Sequence, residues 1–194
     1  SSIDSIEIDE HLFHVLENED RFMPHLHLSL QAGSDIILKR MKRRHLRNDA
    51  VQICSQIKKI RPDVVFGADI IAGFPTETED NFQQSLDLVA ECDLVHLHVF
   101  PYSEREGTPA ARMPQVAKEL RKSRAARLRA AGEAQLEAFR QSCVNQHFDI
   151  LVEKNEIGRT QQFMPVATPG LAAGSLVTAK VIQGSKVGLV LSQD

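Results

Sequence analysis

With 194 residues, 42% of them hydrophobic and 25% charged, the chain is long enough for one domain or one and a half and too apolar to be a disordered tail. A formal net charge of -3 excludes a nucleic-acid binder that works through global basic excess, so any such role must come from local patches. The sequence shows neither an apolar run long enough for a membrane span nor a signal-peptide pattern.

In chain order, residues 2–4 read as the end of a strand. Asp9 is placed to cap a helix through Leu12, Phe13, Val15 and Leu16. Residues 25–30 read as a strand and 34–41 as a helix. A second helix starts near Asn48, a good N-cap, carries Val51, Cys54, Ile57 and Ile60 at helical spacing, and stops at Pro62. Residues 64–72 form a strand rich in β-branched side chains. Thr78, followed by Glu79 and Asp80, opens the next helix, with acids where the helix dipole favours them and Phe82, Leu86, Val89 and Ala90 as its core face. A strand over 93–100 follows. A loop with Gly107, Pro109 and Pro114 then leads into a long helix over about 115–141.

This alternation predicts parallel strands joined by right-handed crossovers. Three or four such strands are present, whereas a closed barrel needs about eight. The first part is therefore expected to be an incomplete α/β barrel whose open edge self-association would cover. After about residue 147 the pattern changes to short alternating segments at 148–153, 161–167, 175–182 and 187–191. Asn155, Gly158, Pro169-Gly170, Gly174 and Gly184 punctuate them. This predicts a small antiparallel β domain or barrel, dividing the chain into 1–146 and 147–194. The chain opens on Ser1-Ser2-Ile3, without Met and without a lead-in, and reads as a piece of a longer protein. Cys54, Cys92 and Cys143 form no disulfide framework and no cluster-binding spacing, which points to reduced thiols in a cytoplasmic protein. Cys54 and Cys92 fall in helical apolar patterns and are expected to be buried.

Side chains alternate along a strand. His25, His27, Ser29 and Gln31 share one face, opposite Leu26, Leu28 and Leu30. Gly67, Asp69, Ile71 and Gly73 share another, and so do His96, His98 and Phe100. The apolar faces suit helices, and the mixed polar faces suit the barrel interior. A dry core would not tolerate such groups unpaired, so the interior is expected to be a cofactor cavity.

Two strands stop at a glycine and hand over to a helix. One reads Leu26-His27-Leu28-Ser29-Leu30-Gln31-Ala32-Gly33-Ser34-Asp35 and runs on to Met41-Lys42-Arg43. The other reads Asp69-Ile70-Ile71-Ala72-Gly73-Phe74-Pro75-Thr76-Glu77-Thr78. Such loops lie at the carboxyl ends of parallel strands, where ligands bind. With Phe100-Pro101-Tyr102-Ser103 and Gly107-Thr108-Pro109-Ala110, in this order and at this spacing, they resemble the motifs of the radical S-adenosylmethionine (SAM) methylthiotransferases. Ala32 stands where the family has Ser, and Thr76 where it has Gly. The resemblance covers about residues 1–141 and is strongest to the branch that adds a methylthio group to carbon 2 of N6-threonylcarbamoyladenosine beside the tRNA anticodon.

The resemblance implies a partial radical SAM barrel of TIM type followed by a TRAM-like domain. It implies S-adenosylmethionine as cofactor, held by Gln31, Ser34, Arg43, Asp69, Ile71, Gly73 and Phe100. Gln31 would bind ribose or amino acid groups. Ser34 and Arg43 would take the carboxylate, and Asp69 the amino group. Gly73 would admit close backbone approach, and Ile71 and Phe100 would pack the adenine. It also implies [4Fe–4S] clusters in the whole protein. None of the three cysteines matches their ligand positions, so this chain is expected to hold no cluster and to be inactive alone. No metal ligands are assigned on this resemblance.

The tRNA partner would meet the β domain, where Lys154, Arg159, Lys180, Lys186 and Phe163 are scattered. It would also meet the long helix, whose Lys118, Arg121, Lys122, Arg124, Arg127 and Arg129 either track phosphates or form a solvated face. The run Lys39, Arg40, Lys42, Arg44 and Arg47 around Arg43 reads as solvated. Three other readings stay open. One is a methylthiotransferase acting on a ribosomal-protein aspartate. A second is an RNA-binding module without catalysis. The third is a metal hydrolase built on the two His-x-His pairs and Asp69, with zinc that would depend on His96 or His98.

Overall fold

The computed structural model describes residues 2–185 and 188–192. Ser1, Lys186 and the expected start of the last strand at Val187 lie outside them. Strands β1 (His25–Gln31), β2 (Val65–Ala72) and β3 (Leu94–Pro101) form a parallel sheet in chain order. The expected strand end at residues 2–4 is a single parallel bridge from Ile3 to Leu28. There Ile3 N donates to His27 O (2.9 Å) and Ser29 N to Ile3 O (2.8 Å).

Helices α1 (Glu10–Asn18), α2 (Asp35–Arg40), α3 (Arg47–Ile60), α4 (Glu79–Glu91) and α5 (Lys118–Ser142) provide the connections and the cover. Leu26, Leu28 and Leu30 are buried on one face with Phe66, Ala68, Ile70, Ala72 and Leu94. Ala50, Cys54 and Ile57 of α3, Phe82, Leu88 and Val89 of α4, and Ala125 and Leu128 of α5 complete that core. Each fully buried Leu or Phe is worth about 1.5–3 kcal/mol, which makes this layer the main source of stability for the sheet.

Local signals set most helix starts. Asp9 accepts from Leu12 N (2.9 Å). Thr78 Oγ1 accepts from Asn81 N while Asn81 Oδ1 accepts from Thr78 N, a reciprocal cap. Asn48 is not the cap of α3. The cap is Leu46, two residues earlier, with Asp49 reaching back to Leu46 N (2.8 Å) and Asp35 taking Arg47 N (2.7 Å). The long helix starts at Lys118 rather than near residue 115. Gln115 instead donates to Ala110 O and Met113 O and ties the preceding loop.

Beyond α5, strands β4 (His147–Val152), β5 (Ile157–Thr160), β6 (Pro165–Ala167), β7 (Leu176–Ser185) and β8 (Gly188–Leu191) close into a barrel in the order β4-β5-β6-β8-β7. The barrel is mixed rather than antiparallel, because β6 and β8 pair in parallel through Val166 and Leu189. The expected strand over 161–167 is also revised. A turn with Phe163 at φ +66° divides β5 from β6. Gly158 and Gly184, read as turn residues, are ladder positions. A Cβ on Gly158 would lie 2.7 Å from Ile150 Cγ2, and one on Gly184 would lie 3.0 Å from Arg140 Cβ.

The barrel is joined to the sheet. Val65 and Val95 share a buried cluster with Ile150, Met164, Val166, Val181 and Leu189. On the polar face, Phe163 stacks on His25 (centroids 5.5 Å apart), His25 meets His96 edge-on (4.9 Å), and His96 Nε2 is 3.1 Å from Gln162 O. Burial, and then the neighbouring His96, lower the His25 pKa to about 4. His25 is thus neutral in the folded protein, whereas an unfolded imidazole takes up a proton near pH 6.5. The unfolded state binds more protons between these values, so stability is lost as pH falls from 6.5 towards 4. Because the ring is only partly buried, screening reduces the effect to about 1–2 kcal/mol. The urea midpoint should fall over this range, and by less in His25→Phe. An unchanged slope in the variant would rule out His25 as the source.

Candidate functional site

The polar face carries three layers. The lowest holds His25 and His96 under the small barrel. In the middle layer, His27 Nε2 lies 3.0 Å and His98 Nδ1 3.2 Å from the same oxygen, Asp69 Oδ1. Ser2 Oγ donates to Asp69 Oδ2 (3.1 Å). These imidazoles and the Ser2 hydroxyl hold the Asp69 carboxyl below the usual range, against the opposing effect of burial. Gly67 makes the layer possible, since a Cβ there would sit 2.5 Å from His27 Nδ1 and 2.9 Å from His96 O. The top layer lies at the carboxyl ends of the strands. There Gln31, Arg40, Met41, Lys42, Arg43, Ile71, Phe74 and residues 108–110 line a cleft of about 370 Å³.

Of the expected cofactor residues, Gln31, Arg43 and Ile71 line this cleft. Gln31 has φ +65° at an irregularity in the β1–β2 register, and its Nε2 donates to Ser29 Oγ (2.8 Å). Arg43 is aimed inward, as a carboxylate partner requires, but its Nη2 is engaged with Ser29 O (2.8 Å) and Asp4 Oδ2 (3.1 Å). Phe100 pairs with Ile71 across the strands and is half exposed on the same face. Asp69 lies a layer below, between the two imidazoles.

Ser34 is buried behind the cleft, where its Oγ accepts from Asn81 Nδ2 (3.1 Å). Gly73 is buried, with φ +73°. The group that approaches it closely is Arg121, whose Cγ would lie 2.4 Å from an added Cβ. Its N–H donates to Glu77 Oε2 (2.9 Å), and Glu77 pairs in turn with buried Arg124 (2.9 Å). Burial pushes the Glu77 carboxyl up, against the pull of the Gly73 N–H and the Arg124 guanidinium.

Sequence reasoning missed the buried Glu77–Arg124 pair, although an isolated acid inside the Gly73–Thr78 turn was its signal. It also missed Phe74, which packs edge-on against Tyr102 at the rim. Several cations read as solvated or phosphate-tracking are engaged within the protein. Arg121 donates to Tyr102 O, Arg129 to Val99 O, Arg127 to Glu79, Arg44 to Glu7 and Arg47 to Glu91. Cys54, Cys92 and Cys143 are all buried. The contact with Cys92, and then burial, push the Cys54 thiol far up, and burial pushes Cys143 up to about 11. Enclosed thiols, two of them packed in one buried cluster and the third in another, do not fit an iron–sulfur cluster. Among the described residues, no helix is long and apolar enough to cross a membrane.

Comparison with known proteins adds to this geometry. The family model of the radical SAM superfamily matches residues 2–89. A threonylcarbamoyladenosine tRNA methylthiotransferase of Rickettsia prowazekii (strain Madrid E) is 51% identical over 183 residues, which is 94% of this chain and 44% of that protein. A tRNA-2-methylthio-N(6)-dimethylallyladenosine synthase of Bartonella bacilliformis is 34% identical over 192 residues, 95% of this chain and 42% of that protein. The chain thus spans less than half the length of these relatives. Among solved structures, the coproporphyrinogen III oxidase of Escherichia coli, a radical SAM enzyme, superposes with a TM-score of 0.51 at 19% identity. The match covers 75% of this chain and 32% of that one, and it supports the fold alone.

Proposed function

We infer from the radical SAM methylthiotransferase family, to which the chain belongs, that it supplies part of the cofactor cradle and the RNA-facing barrel of a tRNA methylthiotransferase. The product is the 2-methylthio form of N6-threonylcarbamoyladenosine. The observation that carries this reading is the 51% identity, over nearly the whole chain, to the threonylcarbamoyladenosine enzyme of Rickettsia prowazekii.

The cleft suits S-adenosylmethionine. Its volume is of the right order for a nucleoside with an amino acid tail, and pockets of this kind combine apolar walls with a few placed polar groups. Ile71, Met41 and Phe74 offer apolar surface for an adenine. Gln31 offers an amide to ribose or amino groups. Arg43 takes the carboxylate by releasing Asp4, which keeps His45 Nδ1 at 3.2 Å as a partner. When bound, S-adenosylmethionine supplies the methyl group and the radical-generating sulfonium. The cysteines of this chain do not fit the clusters, so cluster ligands belong to another part of the protein. Ser34, Gly73 and Glu77 act behind the cleft by fixing its two loops. The barrel of residues 147–192 corresponds to a TRAM-like RNA-binding module. Arg159 lies over the Phe163 ring (4.5 Å), a cation suited to a phosphate. A tRNA substrate places the protein in the cytoplasm.

The test is a nucleoside profile of tRNA from cells lacking the gene. The expected result is loss of the 2-methylthio form, accumulation of N6-threonylcarbamoyladenosine, and rescue by the wild-type gene but not by Arg43→Ala. Loss of 2-methylthio-dimethylallyladenosine instead would move the substrate to the second relative's reaction. An unchanged profile would overturn the tRNA reading and point to a ribosomal-protein aspartate.

A further inference from the structure

Two strands of the polar face bring imidazoles to one carboxylate, and of the two His-x-His pairs that the sequence offered with Asp69 only one histidine of each takes part. His96 is turned down to Gln162 O and His25. His27 from β1 joins His98 from β3, with Asp69 of β2 between them. One donor atom from each lies within 4.8 Å of the others. Bonds of about 2.0–2.2 Å to zinc place neighbouring ligand atoms roughly 3–3.5 Å apart, which matches the 3.0 and 3.2 Å separations here.

Three further features favour an ion. Asp69 Oδ1 faces both imidazoles, while Oδ2 is held from behind by Ser2, as outer partners orient a ligating carboxylate. Gly67 leaves His27 the space to lie over the sheet. The His98 side chain is 62% exposed, so the site opens on the uncovered side of the sheet and leaves coordination positions for water. Two nitrogens and one oxygen suit a borderline divalent cation such as Zn²⁺, Fe²⁺ or Co²⁺ rather than Ca²⁺ or Mg²⁺, which prefer oxygen ligands.

We propose that His27, Asp69 and His98 form a binding site for a divalent transition-metal ion, with open coordination positions facing the interior. The site shares no residue with the lining of the cleft at the strand ends, and the proposal does not rest on the methylthiotransferase reading.

The probe is Co²⁺, titrated into the metal-stripped chain and followed by visible absorption, then displaced with Zn²⁺. The expected result is saturation at a single Co²⁺ per chain, with d–d bands of a nitrogen and oxygen site and no near-ultraviolet thiolate band. Asp69→Asn and His98→Ala should each weaken binding by roughly tenfold or more, whereas His96→Gln should retain it. His98 is exposed, so its loss should leave the fold intact, and circular dichroism and the melting temperature of each variant check this. No spectrum, a thiolate band, or a spectrum that survives both variants would overturn the site. The readout uses neither S-adenosylmethionine nor tRNA, so its failure leaves the proposed reaction standing.

Discussion

Replacing Arg124 with Met is expected to destabilise the protein by about 3–5 kcal/mol, the range for removing one partner of a buried ion pair. The side chains of Arg124 and Glu77 are 3% and 1% exposed. Arg124 Nη1 donates to both Glu77 Oε2 and Glu77 O, each at 2.9 Å, and Oε2 also takes the Gly73 N–H. Without the guanidinium, a carboxylate pushed up by burial keeps only one backbone donor. It will bind a proton in the folded state at a pH where the unfolded chain has lost it. A carboxyl with a raised folded pKa loses stability as pH rises above its unfolded value of 4.5. The deficit of Arg124→Met should therefore shrink towards pH 4.5 and grow towards neutrality. Adding Glu77→Gln should restore much of the loss, because exchanging a whole buried pair for uncharged groups is often near neutral. Urea midpoints of the two singles and the double variant form the cycle. A single variant costing less than about 1 kcal/mol, the level of an exposed pair, would show that water reaches the site.

That pair illustrates where local pattern ends. The alternation Leu26, Leu28, Leu30 against His25, His27, Ser29 was legible because a strand's period assigns faces without knowledge of its neighbours. Asp9 and Thr78 were legible as caps because they satisfy donors within three residues. Arg124 was not. In sequence it is one of seven cations on a polar helix, and only α5 packing across β2 and α4 turns it inward. Gly73 and Ser34 follow the same logic. Their motif predicts a loop at a strand end, and the loop is there. Their immediate neighbours, however, are Arg121 and Asn81, supplied from distant helices. Gln31, Arg43 and Ile71 reach the cleft because strand alternation and one helical turn suffice to aim them. The parallel β6–β8 closure was invisible because it joins segments through a contact that neither sequence advertises. Gly158 and Gly184 carried a turn signal where the need was for thin strands at close approach.

Gly33 follows the same logic at the end of the first strand. It sits in the Gln31–Asp35 turn, at the strand end where a cofactor is expected. A Cβ there would nevertheless lie 2.3 Å from Gln84 O, 2.6 Å from Gln84 C and 2.6 Å from Ser85 Cα. All three are backbone atoms of α4, and Gly33 N already donates to Ser85 Oγ (2.9 Å). No side chain can swing away, so Gly33→Ala must push α4 off the sheet. Overpacking of a well-filled contact costs typically about 1–3 kcal/mol, and a backbone clash belongs at or above the top of that range. Gly107→Ala is the contrast. Nothing lies within 4 Å of its Cβ, and the change meets only a φ of +80°. Its cost should be about 1–2 kcal/mol from the left-handed backbone alone. Thermal and urea unfolding of the two variants should separate them in that order, with Gly33→Ala also loosening the Ser34–Asn81 hydrogen bond. A Gly33→Ala protein with unchanged stability and weakened S-adenosylmethionine binding would reverse the assignment and make the glycine a ligand contact after all.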